Sequence, residues 1–209
     1  MKQSLIIILL LLAGVAGAQT RSHSPLAVYS KEWDNPKYKI CNTAAAVSYL
    51  SDSEKMFIYV MNLARMNPKL FSKTVLPFAS EIDQHTDTTE TDYYKSLVKQ
   101  MDTMQPLPLF MPDSQVFVGA QCHAFELGTT GLSTHTRQSE ECKKKQYCYG
   151  ECCVFGIERP LGMIISLLID YPWEDHGHRE TLFRPYRHMG IAIAPHKGYR
   201  IYAVIDIIH

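Results

Sequence analysis

The chain has 209 residues, with 21 basic against 21 acidic side chains and no formal net charge. That balance argues against nucleic acid or a broadly anionic membrane as the main partner. The length suits one domain with a full hydrophobic core.

Residues 1–18 read as a secretory signal peptide: Lys2 supplies the positive end, Leu5–Leu12 is unbroken apolar sequence, and Ala16-Gly17-Ala18 is a small-x-small cleavage pattern. The apolar run is shorter than the roughly 20 residues that span a bilayer. No later stretch is apolar enough to be a transmembrane segment. The expected product is a soluble exported protein, extracellular or periplasmic, beginning at Gln19.

All six cysteines, Cys41, Cys122, Cys142, Cys148, Cys152 and Cys153, follow the cleavage point. An even count in an exported chain is read as disulfide candidates, with the pairing open. Cys148-x3-Cys152-Cys153 lacks the paired C-x2-C knuckles of a structural zinc site.

Gln19–Leu50 has little periodicity and reads as an N-terminal arm that Trp33, Tyr38 and Cys41 pin to the body. Ser51-Asp52-Ser53-Glu54 is a capping box. It opens a helix whose stripe is Met56, Phe57, Val60, Met61, Leu63 and Ala64, and which Pro68 stops. A shorter helix is expected over Lys69–Val75. Glu81–Asp92 is polar and Thr-rich, a solvated loop, and Tyr93–Met104 is a helix stopped by Pro106 and Pro108. Asp113 or Ser114 caps the next helix, with Val116, Ala120, Ala124 and Leu127 on one face until Gly128 and Gly131 break it.

Gly150–Gly156 reads as a short strand, and Pro160 sits in the first turn of a helix that runs to Asp170. Gly190–Ala194 and Tyr199–Ile207 form a hairpin around Pro195-His196-Lys197-Gly198. Helices, strand, helix and hairpin lack regular β-α alternation, so the fold class is α+β, with helices flanking a mostly antiparallel sheet.

Several motifs in order resemble the CAP superfamily of cysteine-rich secretory, antigen 5 and pathogenesis-related proteins, in its bacterial SCP-domain form. Asn62-x-x-Arg65-x-Asn67-Pro68 resembles the signature of the first helix, and Ala120-Gln121-Cys122-His123-Ala124 the second. Gly131-Leu132-Ser133-Thr134-His135 is similar to the segment with the cleft histidine, Gly150-Glu151 to the start of the Gly-Glu-Asn strand, and Gly177-His178-Arg179-Glu180-Thr181-Leu182 to the Gly-His-Arg-x-x-Leu segment. The resemblance covers about 51–208, assigning 51–209 to a CAP/SCP-like domain and 19–50 to an arm outside it. Cys152 replaces the family's Asn, and the family's Trp in the preceding helix is absent.

The resemblance implies a three-layer α-β-α sandwich and a cleft built from His135, Glu151, Asp170 and His178, with Asp170 one methylene shorter than the family's glutamate. Such a set can hold zinc or another divalent metal on neutral imidazoles, with carboxylates orienting them. Alternatively, the carboxylates hold the histidines by hydrogen bonds alone. No residue is assigned as catalytic: Ser133 and Thr134 flank His135 only along the chain, and Cys152 and Cys153 are expected to be oxidised. The resulting expectation is a non-enzymatic binding or interaction module for an extracellular ligand, whether lipid or sterol, protein or glycan. A zinc-dependent, peptidase-like hydrolase is the alternative.

Other polar residues receive plainer roles. His123 is a packing histidine and His176 a loop residue. His188 and His196 are solvent-facing at hairpin ends, Lys143-Lys144-Lys145 is a solvated loop, and Asn62 and Arg65 are buried polar anchors.

Overall fold

The structure is a computed structural model that describes residues 23–82 and 87–209. The signal-peptide segment therefore lies outside the described residues. Eight α-helices are present among them: α1 (Asp52–Met66), α2 (Pro68–Thr74), α3 (Ala79–Ile82), α4 (Asp92–Thr103), α5 (Ser114–Thr130), α6 (Glu140–Lys145), α7 (Pro160–Ile169) and α8 (Gly177–Phe183). The strands are β1 (Met111–Pro112), β2 (Gly150–Phe155), β3 (His188–His196) and β4 (Arg200–Ile208).

The strands form a four-stranded mixed sheet among the described residues, ordered β1-β3-β4-β2. The β3–β4 hairpin and the β2–β4 pair are antiparallel, and the two-residue β1 runs parallel to β3. Register then decides which groups meet. Glu151 sits opposite Asp206, which also sits opposite Gly190, so these three share a face. α5 covers that face: a Cβ on Gly190 would overlap the Phe117 backbone, and one on Gly119 would lie 3.5 Å from Asp206 Oδ2. Cys152, one place along, points to the other face, where its Sγ lies 3.7 Å from the His178 carbonyl. Helices thus reach the sheet from both sides, in keeping with an α+β class.

α1 begins with the expected capping box. Glu54 N–H donates to Ser51 Oγ at 3.3 Å and Ser51 N–H to Glu54 Oε2 at 2.7 Å. The other oxygen of the same carboxylate accepts from Ile193 N–H at 2.9 Å, so one side chain caps a helix and docks it on β3. Asn62 and Arg65 are fully buried. Asn62 clamps Phe110, accepting its N–H at 2.7 Å and donating to its carbonyl at 2.9 Å. Arg65 donates to the carbonyls of Pro108, Leu182, Arg184 and Tyr186 while its guanidinium lies 3.8 Å from the Phe110 ring centroid. Burial pulls its pKa down to about 9, and the carbonyls and the Phe110 ring face are what compensate the buried charge.

The N-terminal arm is built from two 3₁₀ turns, Lys31–Asp34 and Pro36–Cys41. Trp33, Tyr38 and Cys41 are buried. Trp33 Nε1–H donates to Thr74 Oγ1 at 3.0 Å, and Tyr38 Oη accepts from Asn67 at 2.7 Å.

Several expectations need correction. Gly128 does not end α5; it lets the Pro195 carbonyl approach, and the helix stops at Gly131, which adopts φ +82°. Lys143-Lys144-Lys145 is the last turn of α6, where Lys143 and Lys145 pair with Glu140 and Glu141 at 2.8 and 2.5 Å. Cationic groups at a helix C-terminus also oppose its dipole favourably. The polar stretch after Glu81 is bounded by α3 and α4, with 83–86 outside the described residues. His196 is buried: Nδ1 accepts from Gly198 and Tyr199 N–H at 3.0 and 3.1 Å, and Nε2–H donates to the Leu132 carbonyl at 2.9 Å.

The disulfide reading is corrected most. Cys122 and Cys142 are bonded, tying α5 to α6, while Cys41, Cys148, Cys152 and Cys153 are free. Cys152 and Cys153 are successive residues of one strand and point to opposite faces, so neither can reach the other. Cys41 is enclosed, with its Sγ 3.2 Å from Met66 Sδ.

Arg65→Ala would leave four carbonyls without their donor, and is expected to cost at least about 3 kcal/mol in urea unfolding. A loss below about 1 kcal/mol would mean that water replaces the guanidinium.

Candidate functional site

A cleft of about 850 Å³ opens between the end of α5, β2 and the α7–α8 loop, and His135, Glu151 and His178 line it. Asp170 lies behind it, buried. All four residues therefore converge on one region, in two half-sites.

In the first, β2 places Glu151 inward and the loop after α5 returns His135 to it. His135 Nδ1–H donates to Glu151 Oε1 at 2.7 Å. Glu151 is nearly closed off, whereas the His135 side chain is 61% exposed. In the second, α7 ends on Asp170 in the left-handed region, φ 61°, a conformation that Asp tolerates better than most residues. Its carboxylate accepts from His178 Nδ1–H at 2.6 Å through Oδ1, and from His178 and Arg179 N–H at 2.9 and 3.3 Å through Oδ2. The shorter side chain reaches because the turn into α8 delivers those donors. His176 stands just before α8, outside the cleft lining, and donates through Nδ1 to the Trp173 carbonyl at 2.9 Å.

In both half-sites Nδ1 is engaged and Nε2 has no partner among the described residues. A carboxylate fixes the ring and tautomer, leaving the second nitrogen for a ligand.

Reasoning from sequence missed Arg137 and Asp206. Arg137 Nη2 lies 2.6 Å from Glu151 Oε2 and 2.9 Å from Asp206 Oδ2, all three side chains being buried. A lone acid within the apolar run Tyr202–Ile208 was a legible signal that something must compensate it. Asp206 Oδ1 is buried without a hydrogen-bond donor among the described residues, and Glu151 Oε2 meets only the Arg137 ion pair, so keeping a proton on Asp206 relieves both the bare oxygen and the like-charge contact. Burial, then the Glu151 charge, push Asp206 up to about 8 against the pull of Arg137. Burial opposes the Glu151 charge as well, but the His135 hydrogen bond and Arg137 outweigh it and hold its pKa below the usual value. Its hydrogen bond to Glu151 raises His135.

His123 is buried on α5, donating through Nε2 to the Thr134 carbonyl at 2.9 Å. Burial lowers its pKa, so it packs as a neutral ring.

No activated nucleophile is present among the described residues. Ser133 Oγ is engaged with Tyr202 Oη at 3.1 Å, and Thr134 Oγ1 accepts from Thr136 N–H at 3.1 Å. Cys153 Sγ stands 3.8 Å from His135 Nδ1, but burial and the Glu151 charge drive its pKa upward, away from the thiolate that nucleophilic chemistry requires.

Close donor sets do occur. His135, Glu151 and Cys153 offer ligand atoms within 4.8 Å of one another, as do Cys148, Glu151 and Asp206. Imidazole, carboxylate and thiol are donors that zinc accepts, so the residues fit such an ion. His178 belongs to neither set. No helix among the described residues is long and apolar enough to cross a membrane.

Comparison with protein-family models, curated proteins and solved structures finds no match.

The sign of the pH dependence follows. Asp206 has a folded pKa above its ordinary 3.8, so its ionisation costs stability progressively from about pH 4 and fully above about pH 8. The raised His135 acts in the same direction: its contribution is complete below pH 6.5 and is lost as pH rises through the higher folded value. Glu151, held low, contributes above pH 4.5 and loses that contribution as acid protonates it. Thermal melts of Asp206→Asn are therefore expected to decline less than wild type between pH 5 and pH 8. Parallel declines would show that Asp206 is not the group responsible.

Proposed function

We propose that this chain is an exported CAP-type protein, a three-layer α-β-α sandwich with a mostly antiparallel sheet, whose cleft binds a ligand through His135 and His178 without catalysing a reaction. The carrying observation is the bracing of both imidazoles at Nδ1 by carboxylates, Glu151 and Asp170, with both rings lining one cleft. Export is supported by the signal-like sequence of residues 1–18 and by the Cys122–Cys142 bond, which persists in oxidising compartments. The ordered series of motifs supports the CAP-type reading.

A divalent metal, zinc first, suits the His135 side of the cleft. His135 would hold it together with Glu151 and Cys153, the donors that lie close to one another, and a bound ion would supply a Lewis-acidic centre. This chain's own residues fix ring orientation, keep the proton on Nδ1 and exclude water from Glu151. A hydrolase would use the same cleft, with ionised Glu151 as general base. The non-enzymatic reading is favoured because both Glu151 oxygens are already engaged, one by His135 and one by Arg137, leaving little basicity for a reacting water.

Elemental analysis and calorimetry provide the test. Wild type is expected to bind zinc near one equivalent, and His135→Ala/His178→Ala to lose at least about tenfold in affinity, the usual effect of damaging a metal's ligand shell. Folded wild-type protein that takes no zinc would remove the metal from this reading.

A further inference from the structure

The chemistry of the cleft walls differs from that of its floor. Tyr149, Phe155 and Trp173 line it and are 67%, 44% and 59% exposed. Its other contributors are hydroxyl, amide, imidazole, carboxylate, thiol and guanidinium side chains and two glycines, with Tyr202 at depth. Among the described residues no Leu, Ile, Val or Met lines it. A lipid or sterol site is walled by aliphatic groups, which bury acyl chains without leaving polar groups dry. This cleft has no such wall.

The aromatic rings are held in place. Phe155 stacks on Tyr199 with centroids 4.2 Å apart, and Tyr202 stacks on His196 at 5.2 Å. Trp173 stands on the α7–α8 loop, where its N–H donates to the Asp170 carbonyl at 2.9 Å and its carbonyl accepts from His176. Tyr93 Oη–H donates to the Pro172 carbonyl at 3.1 Å and its ring meets those of Tyr171 and His176 edge-on. An exposed indole on so tied a loop keeps its faces open and loses little entropy on binding.

Flat aromatic faces beside hydroxyl and carboxylate groups match a molecule with apolar C–H faces and a polar rim. We propose that the cleft binds a short neutral oligosaccharide, whose rings stack on Trp173 and Tyr149 while its hydroxyls bond to Thr134, Gln146, Asp175 and Thr181. Asp175 on the accessible lining and the Glu151 charge behind it make the cleft unsuited to a sulfated or otherwise polyanionic glycan, because Arg137 is buried in its own ion pairs. The volume of about 850 Å³ is in the upper part of the range of ligand pockets and admits more than one ring. The inference rests on the cleft being a ligand site, and does not require a bound metal.

The chain carries its own reporter, since of its two tryptophans Trp33 is fully buried and Trp173 is on the cleft. Chitotetraose, cellotetraose, mannotetraose and maltotetraose would be titrated into the disulfide-intact protein while tryptophan emission is followed, once with chelator and once with zinc. Palmitate and cholesterol serve as competing ligands. At least one tetrasaccharide is expected to give a saturable shift in emission. By calorimetry, its affinity should fall about tenfold in Trp173→Ala and be retained in Trp173→Phe, at unchanged melting temperature. No response to any of the four sugars at millimolar concentration, equal binding by Trp173→Ala, or saturable binding of palmitate or cholesterol in the cleft would overturn the proposal. Failure of zinc binding alone leaves the sugar titration unaffected, so the two readings fail separately.

Discussion

Antiparallel pairing of β2 with β4 sets the carboxyl of Glu151 beside that of Asp206 on a face closed by α5, and the guanidinium of Arg137 is shared between them. Two buried carboxylates with one cation cannot both ionise without a large desolvation cost, so one keeps its proton. Because Asp206 is the deeper and has Glu151 as neighbour, the charge settles on Glu151. That settlement gives the cleft a fixed negative point, and His135 is drawn to it from the loop after α5. Remove the strand register and Glu151 turns to the other face, taking the imidazole's partner with it.

The second half-site reaches a similar end by other means. Asp170 has no guanidinium bonded to it; Arg179 spends its donors on the Leu168, Ile169 and Tyr93 carbonyls and Ser96 Oγ, fastening α8 to α7 and α4. What holds the Asp170 carboxylate is backbone N–H from the first turn of α8, together with His178 Nδ1–H. One imidazole is thus supported by buried charge, the other by a helix start. The His135 half is tied to a coupled acid pair, whereas two of the three donors to Asp170 are backbone N–H groups.

Much of this was legible in the chain. The capping box at Ser51, the stop at Pro68, the Asp113 cap and the hairpin about Lys197 are local signals, and local physics decides them. His135, Glu151, Asp170 and His178 could be nominated because ordered motifs mark the places where the chain returns to one cleft. Arg137 and Asp206 could not be joined, since their meeting depends on β2–β4 register and on the path of a loop, neither written in any short window. The same holds for His196, whose burial follows from Gly128 admitting the hairpin end against α5. The cysteines misled for a geometric reason: an even count says nothing about which Cβ vectors face each other, and in β2 adjacent thiols face apart.

Free thiols near a cleft in a chain with a disulfide call for an account in terms of electrostatics. Cys148 and Cys153 both line the cleft, and burial with nearby carboxylates pushes both upward, Cys148 to about 12. At neutral pH they are therefore thiols, weakly polar and slow to exchange or oxidise, because the attacking species in both reactions is the thiolate. Burial first, with the negative field that braces His135 adding to it, keeps these cysteines inert. A cation arriving beside Glu151 would reverse that field, stabilising thiolate and carboxylate together. The cleft consequently presents aromatic walls over one buried negative point, a surface suited to uncharged ligands, while its latent soft donors become available only to a metal that can displace their protons.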